Sequence, residues 1–206
     1  IGFSGAPWTL AIYMVEGRGG TDHGHAKRWA YRDPDGLGEL IDLLTAAVST
    51  HLLQQIENGA DVVKLFDSWA GVLPETQFRR WVIEPTAKIV RHLKAAHPEI
   101  RIIGFPRGAG ALYQEYADAT GVDAIAIDGA VPVAWAAETL QRSRAVQGNL
   151  DNLALTMGGE TLVSETHRIL GALGGGPFIF NLGHGVLPET PPENVALLAS
   201  LIREWK

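Results

Sequence analysis

A histidine between two glycines is the residue whose type and position most directly indicate chemistry in this sequence. His184 lies in the segment Asn181-Leu-Gly-His-Gly185, just after the apolar and aromatic run Phe178–Phe180. Pro192-Glu193 further on is typical of a first helical turn, so the pattern predicts a buried strand, a turn that carries His184, and a helix. Such turns are where α/β proteins place catalytic groups. The pattern by itself fits a hydrogen-bonded loop histidine equally well.

Polar and aromatic residues also follow the other apolar runs of the chain. They are Ser4, Pro7, Trp8 and Tyr13 after the first run, Asp67, Ser68 and Trp69 after the second, Arg107 after the third, Asp128 after the fourth, and Gln147, Asn149 and Asp151 at the fifth. This set offers hydroxyls, amides, a cation and aromatic walls but no dense cluster of metal ligands. It therefore predicts a pocket for a large organic molecule with several polar groups. Phe3, Phe66 and Tyr13 fit either such a pocket or ordinary core packing.

Three more specific kinds of site find little support. The segment Gly17-Arg-Gly-Gly20 lacks the lysine and hydroxyl residue of a Walker loop and is predicted to be a flexible active-site loop. Asp22, His23 and His25 have no third ligand at a recognisable spacing, so we expect a helix N-terminus there and no metal site. Ser68 is not framed as Gly-x-Ser-x-Gly, which favours a binding hydroxyl over a hydrolase nucleophile.

Six short apolar runs alternate with helical patterns and supply the elements that must position these residues. The predicted strands are Ile1–Phe3, Val62–Phe66, Ile100–Phe105, Ala124–Ile127, Ala145–Gly148 and Phe178–Phe180. Repeated strand-helix units predict a parallel sheet, either open and doubly wound or closed as a (β/α)8 TIM barrel. Polar, glycine-rich segments follow every strand, which favours the barrel as the fold class. Six units correspond to the last six of eight, and we expect two more before Ile1.

Proline and acidic residues mark where the helices begin. Asp33-Pro-Asp35, Pro74-Glu75 and Pro191-Pro-Glu193 are typical of helix N-termini. Pro85 lies inside an otherwise helical stretch, where it predicts a break or a kink, with Glu75–Trp81 and Thr86–Ala96 as two pieces. No linker or second domain is apparent, so residues 1–206 are predicted to form a single domain.

Composition limits the possible partners. The formal net charge is -6, with the acidic residues dispersed, which argues against nucleic acid or an anionic membrane as a partner. The chain has no cysteine, so thiolate metal sites and cysteine nucleophiles are excluded, and a reducing, cytoplasmic location is expected. No continuous apolar run is long enough to span a bilayer.

Taken together, the motifs resemble the uroporphyrinogen decarboxylase family along almost the whole chain. The similar segments are Gly2–Leu10, Tyr13–Gly17, Lys27–Trp29, Leu65–Gly71, Gln147–Asp151 and Asn181–Gly185. The resemblance implies a (β/α)8 barrel that works as a homodimer without a cofactor. It also implies removal of carbon dioxide from the four acetate side chains of uroporphyrinogen III to give coproporphyrinogen III, a step of haem biosynthesis.

The resemblance also implies roles for particular residues. Tyr13, Ser68 and His184 would contact substrate carboxylates, with Tyr13 and His184 as the catalytic pair. Phe3 and Phe66 would form part of the apolar cleft around the macrocycle. Arg107 stands where the family more often has lysine, and we hypothesise that it offers a cation at the barrel mouth.

This sequence departs from the family pattern in several places. It contains neither the aspartate that bonds the pyrrole N–H groups nor the Arg-Gln-Ala-Gly-Arg motif, so the 206-residue chain alone is expected to be inactive and poorly stable. Asp128-Gly-Ala130 replaces the usual Asp-Trp-Thr, which affects the expected local packing. Two alternatives remain: a noncatalytic porphyrin-binding paralogue, and a cobalamin-dependent methyltransferase of the same superfamily, against which the lack of cysteine argues.

Overall fold

Strands and helices alternate along the chain as the sequence predicts. A computed structural model describes residues 1–17 and 22–205, and it divides the chain into two compact units, Ile1–Asp123 and Ala124–Lys206. All six predicted strands are present, each within two or three residues of its expected bounds. The expectation of a flexible loop at Gly17–Gly20 falls largely on residues 18–21, which lie outside the described residues. The single domain remains a prediction.

The first unit is built on three parallel strands in chain order. The strands are β1 (Gly2–Gly5), β2 (Val62–Asp67) and β3 (Arg101–Pro106). The helices are α1 (Pro7–Glu16), α2 (Gly24–Arg32), α3 (Pro34–Glu57), α4 (Glu75–Phe78), α5 (Glu84–Ala96) and α6 (Tyr113–Thr120). Because the strands pair in the order in which they occur, the unit has the βαβ arrangement of a barrel and no reversal of strand order.

Helix α3 is the main cover of this unit. By length and composition it could cross a membrane, although its sequence holds no continuous apolar run. Its buried residues Leu37, Ile41 and Leu52 pack within the unit, where α3 contacts α1, α5 and β1. The Gln55 side chain also accepts a hydrogen bond from Phe3 N at 2.7 Å and donates one to Phe3 O at 2.9 Å. The helix therefore satisfies both backbone groups of Phe3 on β1.

The predicted division into two helices at Pro85 is wrong, whereas a kink there stays a prediction. The backbone stays helical from Glu75 to Ala96, and the irregularity is a π-helical segment at Arg79–Ile83. At its end Glu84 N donates to Arg79 O, five residues back. Proline has no N–H to donate, and the wider turn just before it lets the chain continue as a helix without that bond.

The second unit repeats the same arrangement. Its strands β4 (Ala124–Ala126), β5 (Ala145–Leu150) and β6 (Phe178–Leu182) are parallel and in chain order. Its helices are α7 (Val133–Trp135), α8 (Asn152–Met157), α9 (Gly159–Leu173) and α10 (Pro192–Glu204), with a π-helical segment at Ala136–Leu140. The α/β class with parallel strand-helix units is confirmed in both units.

Strand β6 is less buried than its sequence indicates. Its residues alternate between half-buried and exposed, whereas β5 is buried from Val146 to Leu150. The Phe178 and Phe180 rings contact each other at 5.9 Å between centroids. The two aromatic side chains of β6 therefore lie on one face of the strand, and the strand is not buried on both faces.

Candidate functional site

The loops after β2 and β3 are joined through their backbones in the first unit. Arg107 N donates to Asp67 O at 3.1 Å, and Gly71 N donates to Arg107 O at 2.9 Å. A Cβ on Gly71 would lie 2.5 Å from the Gly108 carbonyl oxygen. The two loops therefore approach so closely that only glycine fits at position 71. Ser68 and Arg107, both half-buried, are therefore carried on one connected edge of the sheet.

An aromatic row crosses one face of the three strands. Phe66 on β2 is in register with Phe105 on β3, and Phe3 on β1 is in register with Lys64 on β2. The Phe3 and Phe66 rings meet edge to face at 5.9 Å between centroids, and the Phe66 and Phe105 rings do so at 6.0 Å. Phe3 is 61% exposed and Phe66 is half-buried. Both predicted wall residues thus lie on one accessible apolar face, and Phe105 extends it.

A buried lysine lies on the same face of the sheet. Lys64 is two residues before Phe66, so alternation along β2 directs both side chains to one side. Its Nζ lies 4.5 Å from the centre of the Phe66 ring and 5.1 Å from that of Phe105, within cation–π range. Removal from water lowers the pKa of Lys64 to about 8, so the ammonium form predominates at neutral pH.

A buried carboxyl connects the end of β2 to α1. Thr9 Oγ1 donates to Asp67 Oδ1 at 2.6 Å and accepts from Trp69 N at 3.3 Å. Asp67 is 1% exposed, and its Oδ2 has no hydrogen-bond partner among the residues that the structure describes. Burial raises the pKa of Asp67 to about 7, and the hydrogen bonds from Thr9 oppose this rise.

Tyr13 is placed by α1 and by a tryptophan that follows β2. Its ring meets that of Trp69 at 6.4 Å between centroids, and Tyr13 is 46% exposed. Trp8 Nε1 donates to Trp69 O at 3.1 Å, which fixes α1 against the same loop. The Trp69 ring is also contacted by the buried His23 ring, at 4.6 Å between centroids. Tyr13 is therefore a half-exposed hydroxyl residue on a rigid support, and not a core tyrosine.

The turn that carries His184 is held on both sides in the second unit. Gly183 N donates to Leu150 O at 2.8 Å, and Asn152 Nδ2 donates to Gly185 O at 2.9 Å. A Cβ on Gly183 would lie 2.4 Å from Gly129 N, so glycine is required beside that backbone. His184 itself is exposed, and the next helix, α10, begins at Pro192. The predicted strand-turn-helix placement of His184 is confirmed.

The Asp128-Gly-Ala130 segment forms a compact turn against β5. Asp128 Oδ1 accepts from Ala130 N at 2.9 Å, and Asn149 Nδ2 donates to Asp128 O at 3.1 Å and to Val131 O at 2.8 Å. Asn149 is 2% exposed. A Cβ on Gly129 would meet only Asn149 O at 3.6 Å and the Asp151 Cα at 3.9 Å, so nothing in the structure explains the departure from Asp-Trp-Thr at this position.

The structure brings together five of the six predicted site residues within the first unit. Phe3, Phe66, Tyr13, Ser68 and Arg107 all lie on β1, α1 or the ends of β2 and β3. Asp22 and His23 precede α2, where Gly24 N donates to Asp22 Oδ1 at 3.0 Å, so the prediction of a helix N-terminus is confirmed. Residues 1–17 and 22–205 contain no group of three or more potential metal ligands.

Sequence reasoning missed two groups at this site. Lys64 interrupts the apolar run Val62–Phe66, and a charged residue two positions from an aromatic wall residue was the available signal. The Thr9–Asp67 hydrogen bond joins residues 58 positions apart, and no sequence spacing indicates such a contact. A charged residue within a predicted buried strand is thus a sequence signal for a site residue. Polar pairs between residues far apart in sequence can be identified only from the structure.

The fold and the site together define a class of protein. Parallel βα units carry an aromatic face, a buried lysine and hydroxyl groups near the carboxyl ends of their strands, as in α/β barrel proteins that bind organic ligands. The family model described as uroporphyrinogen decarboxylase (URO-D) matches residues 1–205. The chain belongs to the uroporphyrinogen decarboxylase family.

Individual relatives agree with this assignment. The uroporphyrinogen decarboxylase of Rhodospirillum rubrum is 52% identical over 203 residues, which is 98% of this chain and 58% of that protein. The one of Chelativorans sp. is 50% identical over 206 residues, all of this chain and 60% of that protein. The chain therefore spans about three fifths of the length of these relatives.

A solved structure supports the fold alone. Dihydropteroate synthase of Xanthomonas albilineans with 4-aminobenzoic acid superposes with a TM-score of 0.54 and 20% sequence identity. The match covers 78% of this chain and 60% of that protein. At this identity the likeness concerns the backbone arrangement and carries no argument about the ligand.

Proposed function

We propose that this chain forms part of an enzyme that decarboxylates the four acetate side chains of uroporphyrinogen III to methyl groups, giving coproporphyrinogen III. The family match over residues 1–205 carries the proposal. The exposed aromatic face of Phe3 and Phe66 supports it, because a large macrocycle needs an apolar surface. Hydroxyl and cationic side chains at the same edge supply partners for carboxylates.

The reaction requires little catalytic apparatus. Protonation of a pyrrole carbon makes the ring an electron sink, and the electron pair of the breaking bond to carbon dioxide flows into it. A second proton then completes the methyl group, and loss of the first proton from the ring carbon restores the pyrrole, so the net change is replacement of carbon dioxide by one proton and no redox partner is needed. The protein supplies orientation, protons and electrostatic stabilisation, and the proposal includes no cofactor and no metal.

The proposal assigns each predicted site residue a task. Phe3 and Phe66 pack against the macrocycle, Ser68 and Arg107 bind carboxylates, and Tyr13 and His184 are the catalytic residues because both carry exchangeable protons. The exposure of Tyr13 and the double anchoring of the His184 turn support these tasks, since a catalytic group must be accessible and held in place.

The test is an anaerobic assay of the protein made from the full reading frame, with uroporphyrinogen III as substrate. Products are oxidised and separated by carboxylate number. We expect porphyrins with successively fewer carboxylates to appear without added cofactor. No conversion by a folded protein that still binds uroporphyrin would overturn the decarboxylase proposal in favour of a noncatalytic porphyrin-binding paralogue.

Matched substitutions identify the catalytic residues. Tyr13→Phe and His184→Asn should each lower kcat by about tenfold to a thousandfold, because proton transfer by a positioned side chain contributes at that scale. Tyr31→Phe on α2 and His92→Asn on α5 alter exposed residues of the same types and should leave kcat unchanged. If Tyr13→Phe lowered kcat no more than Tyr31→Phe, Tyr13 would not be a catalytic residue. The same comparison between His184→Asn and His92→Asn decides the role of His184.

We also propose that the protein is a cytoplasmic homodimer. The resemblance to the family supports the dimer, and the absence of cysteine and the dispersed negative charge support a reducing compartment without nucleic-acid or membrane partners. Sedimentation velocity of the full reading-frame product tests the assembly. A single species of monomer mass at micromolar concentration would contradict the dimer.

A further inference from the structure

Lys64 occupies a position where packing alone favours an apolar side chain. It is 7% exposed, and its neighbours across the sheet in register are Phe3 on β1 and Ile103 on β3. Lysine is among the residues least often buried, because removal of its charge from water is costly. The cation–π contacts with Phe66 and Phe105 offset part of that cost and hold the ammonium group against the two rings.

The charged end of Lys64 extends toward the carboxyl end of β2. Its Cα is two residues before that of Phe66, yet its Nζ lies over the Phe66 ring at 4.5 Å from the centroid. The ammonium group is therefore at the level of the aromatic row, which is the surface assigned to the macrocycle. Ser68 follows two residues further along the same strand direction.

We propose that Lys64 is a further substrate-binding residue, whose ammonium group binds a carboxylate of the tetrapyrrole from among the aromatic side chains of the cleft. This inference rests on the proposed function, since it takes the polycarboxylate macrocycle as the ligand. A cation surrounded by aromatic rings meets little competition from water, so its attraction to a carboxylate exceeds that of an exposed lysine. The aromatic row and Lys64 would thus bind the apolar and the anionic parts of one ligand.

The experiment compares variants at this position in the full reading-frame protein. Lys64→Met and Lys64→Gln remove the charge with different polarity, and Lys64→Arg keeps it. We expect the KM for uroporphyrinogen III to rise by about tenfold to a hundredfold in both neutral variants, the range of a lost charged hydrogen bond, with a smaller change in kcat. Lys64→Arg should recover most of the affinity.

Lys88→Met is the matched control. Lys88 lies on α5 of the same unit, is half exposed, and pairs with Asp42 at 2.7 Å on the surface. Its removal should leave KM unchanged. Dissociation constants for uroporphyrin, measured by fluorescence, should follow the same order as KM, which separates binding from turnover. Thermal unfolding of each variant checks that the comparison is made between folded proteins.

The outcomes separate this inference from the proposed function. Conversion by the wild type together with an unchanged KM in a folded Lys64→Met or Lys64→Gln variant would overturn the role of Lys64 alone. A lower kcat with unchanged KM and unchanged uroporphyrin affinity would do so too, because a binding cation must affect affinity. No conversion and no uroporphyrin binding by the wild type would remove the proposed function, and this inference with it.

Discussion

Two aspartates at opposite ends of the first unit's sheet have opposite surroundings. Asp67 ends β2 and receives a side-chain hydrogen bond from Thr9, while burial raises its pKa to about 7. Asp123 lies beside the start of β3, where Lys94 Nζ approaches its Oδ2 at 2.8 Å and Ile102 N donates to the same atom at 2.9 Å. Burial opposes ionisation there too, but these hydrogen bonds, with one from Arg101, lower the pKa of Asp123.

The difference between the two aspartates distinguishes a residue that supports the fold from one that lies at the candidate site. At the amino end of the sheet the Asp123 carboxylate pairs with Lys94 and Arg101, so it stabilises the fold as an ion. At the carboxyl end the Asp67 carboxyl is held by the Thr9 hydroxyl, and its Oδ2 has no hydrogen-bond partner among the residues that the structure describes. Parallel α/β proteins place ligand sites at the carboxyl ends of strands, and the ion-paired Asp123 at the amino end and the incompletely hydrogen-bonded Asp67 at the carboxyl end agree with that rule.

The largest expected effect is the pH dependence that Asp67 imposes on stability. The folded state keeps its proton up to about pH 7, whereas the unfolded carboxyl loses it near 3.8. The folded state therefore binds more protons in this interval, and stability decreases as pH rises through it, by about 4 kcal/mol at 1.36 kcal/mol per pH unit. Denaturant unfolding between pH 4 and 8 should show this decrease in the wild type and not in Asp67→Asn.

Asp42→Asn is the control for that measurement, because Asp42 is an exposed partner of Lys88. It should keep the decrease seen in the wild type. A similar slope in Asp67→Asn would contradict the contrast between the two aspartates, since it would mean that Asp67 is ionised in the folded protein at acid pH.

The second effect is the loss of stability in Asp123→Ala. Removal of this carboxylate leaves Lys94, whose side chain is 26% exposed, without its ion pair, and leaves Ile102 N without its acceptor. We expect a decrease of about 3 kcal/mol in the free energy of unfolding at pH 7. Because Asp123 has a lowered pKa, the wild-type advantage is present above the ordinary carboxyl value and is lost as pH falls below it.

KM supplies the check on this second prediction. Asp123→Ala should lower stability and leave the KM of the folded protein within about twofold of the wild type, since the residue is at the end of the sheet away from the proposed site. A large change in KM with unchanged stability would reverse the roles of the two ends. Asp42→Ala, which breaks an exposed pair, should cost less than about 1 kcal/mol.

The sequence could predict those features of the fold and of the candidate site that depend on residues close together along the chain. Apolar runs and proline positions depend on local periodicity, and they located all six strands and the helices that begin at Pro34 and Pro192. Position after a strand placed Tyr13, Ser68 and Arg107 in a longer set of candidates, because the carboxyl ends of parallel strands lie at one edge, and the family resemblance singled out Tyr13 and Ser68 from that set. The site residues could thus be grouped, but not selected, from order along the chain alone.

Features that depend on contacts between distant residues could not be predicted. The irregularity near Pro85 is a π-helical segment at Arg79–Ile83, and a proline in a helical pattern does not by itself indicate whether the chain will break, kink or widen a turn. The exposure of β6 depends on which strand lies beside it, and Phe178–Phe180 would look the same in a buried strand. The opposite pKa shifts of Asp67 and Asp123 arise from the burial and from the hydrogen-bond partners of each carboxyl. The sequence therefore could not indicate which of the two aspartates has the raised pKa and which the lowered one.

A smaller effect is expected from Thr9→Val, which removes the hydroxyl that donates to Asp67 at 2.6 Å while keeping the shape of the side chain. Thr9 is 4% exposed, so we expect a loss of about 1 to 2 kcal/mol in the free energy of unfolding. The hydrogen bond lowers the pKa of Asp67, and its loss should move the end of the pH-dependent decrease above pH 7. Thr50→Val on the exposed side of α3 is the control and should change neither quantity appreciably.

The smallest expected effect comes from Arg107→Ala. Arg107 is half-buried, and its backbone, which the substitution preserves, bonds to Asp67 O and Gly71 N. Only the side-chain cation is lost, so stability should be nearly unchanged while the uroporphyrin dissociation constant rises by about threefold to tenfold, less than for Lys64→Met, because water competes more strongly at a half-exposed charge. Raising the salt concentration should weaken wild-type binding more than binding by Arg107→Ala. An unchanged dissociation constant at low salt would show that the carboxyl end of the sheet uses the buried cation and not the exposed one, and it would retire Arg107 as a substrate contact.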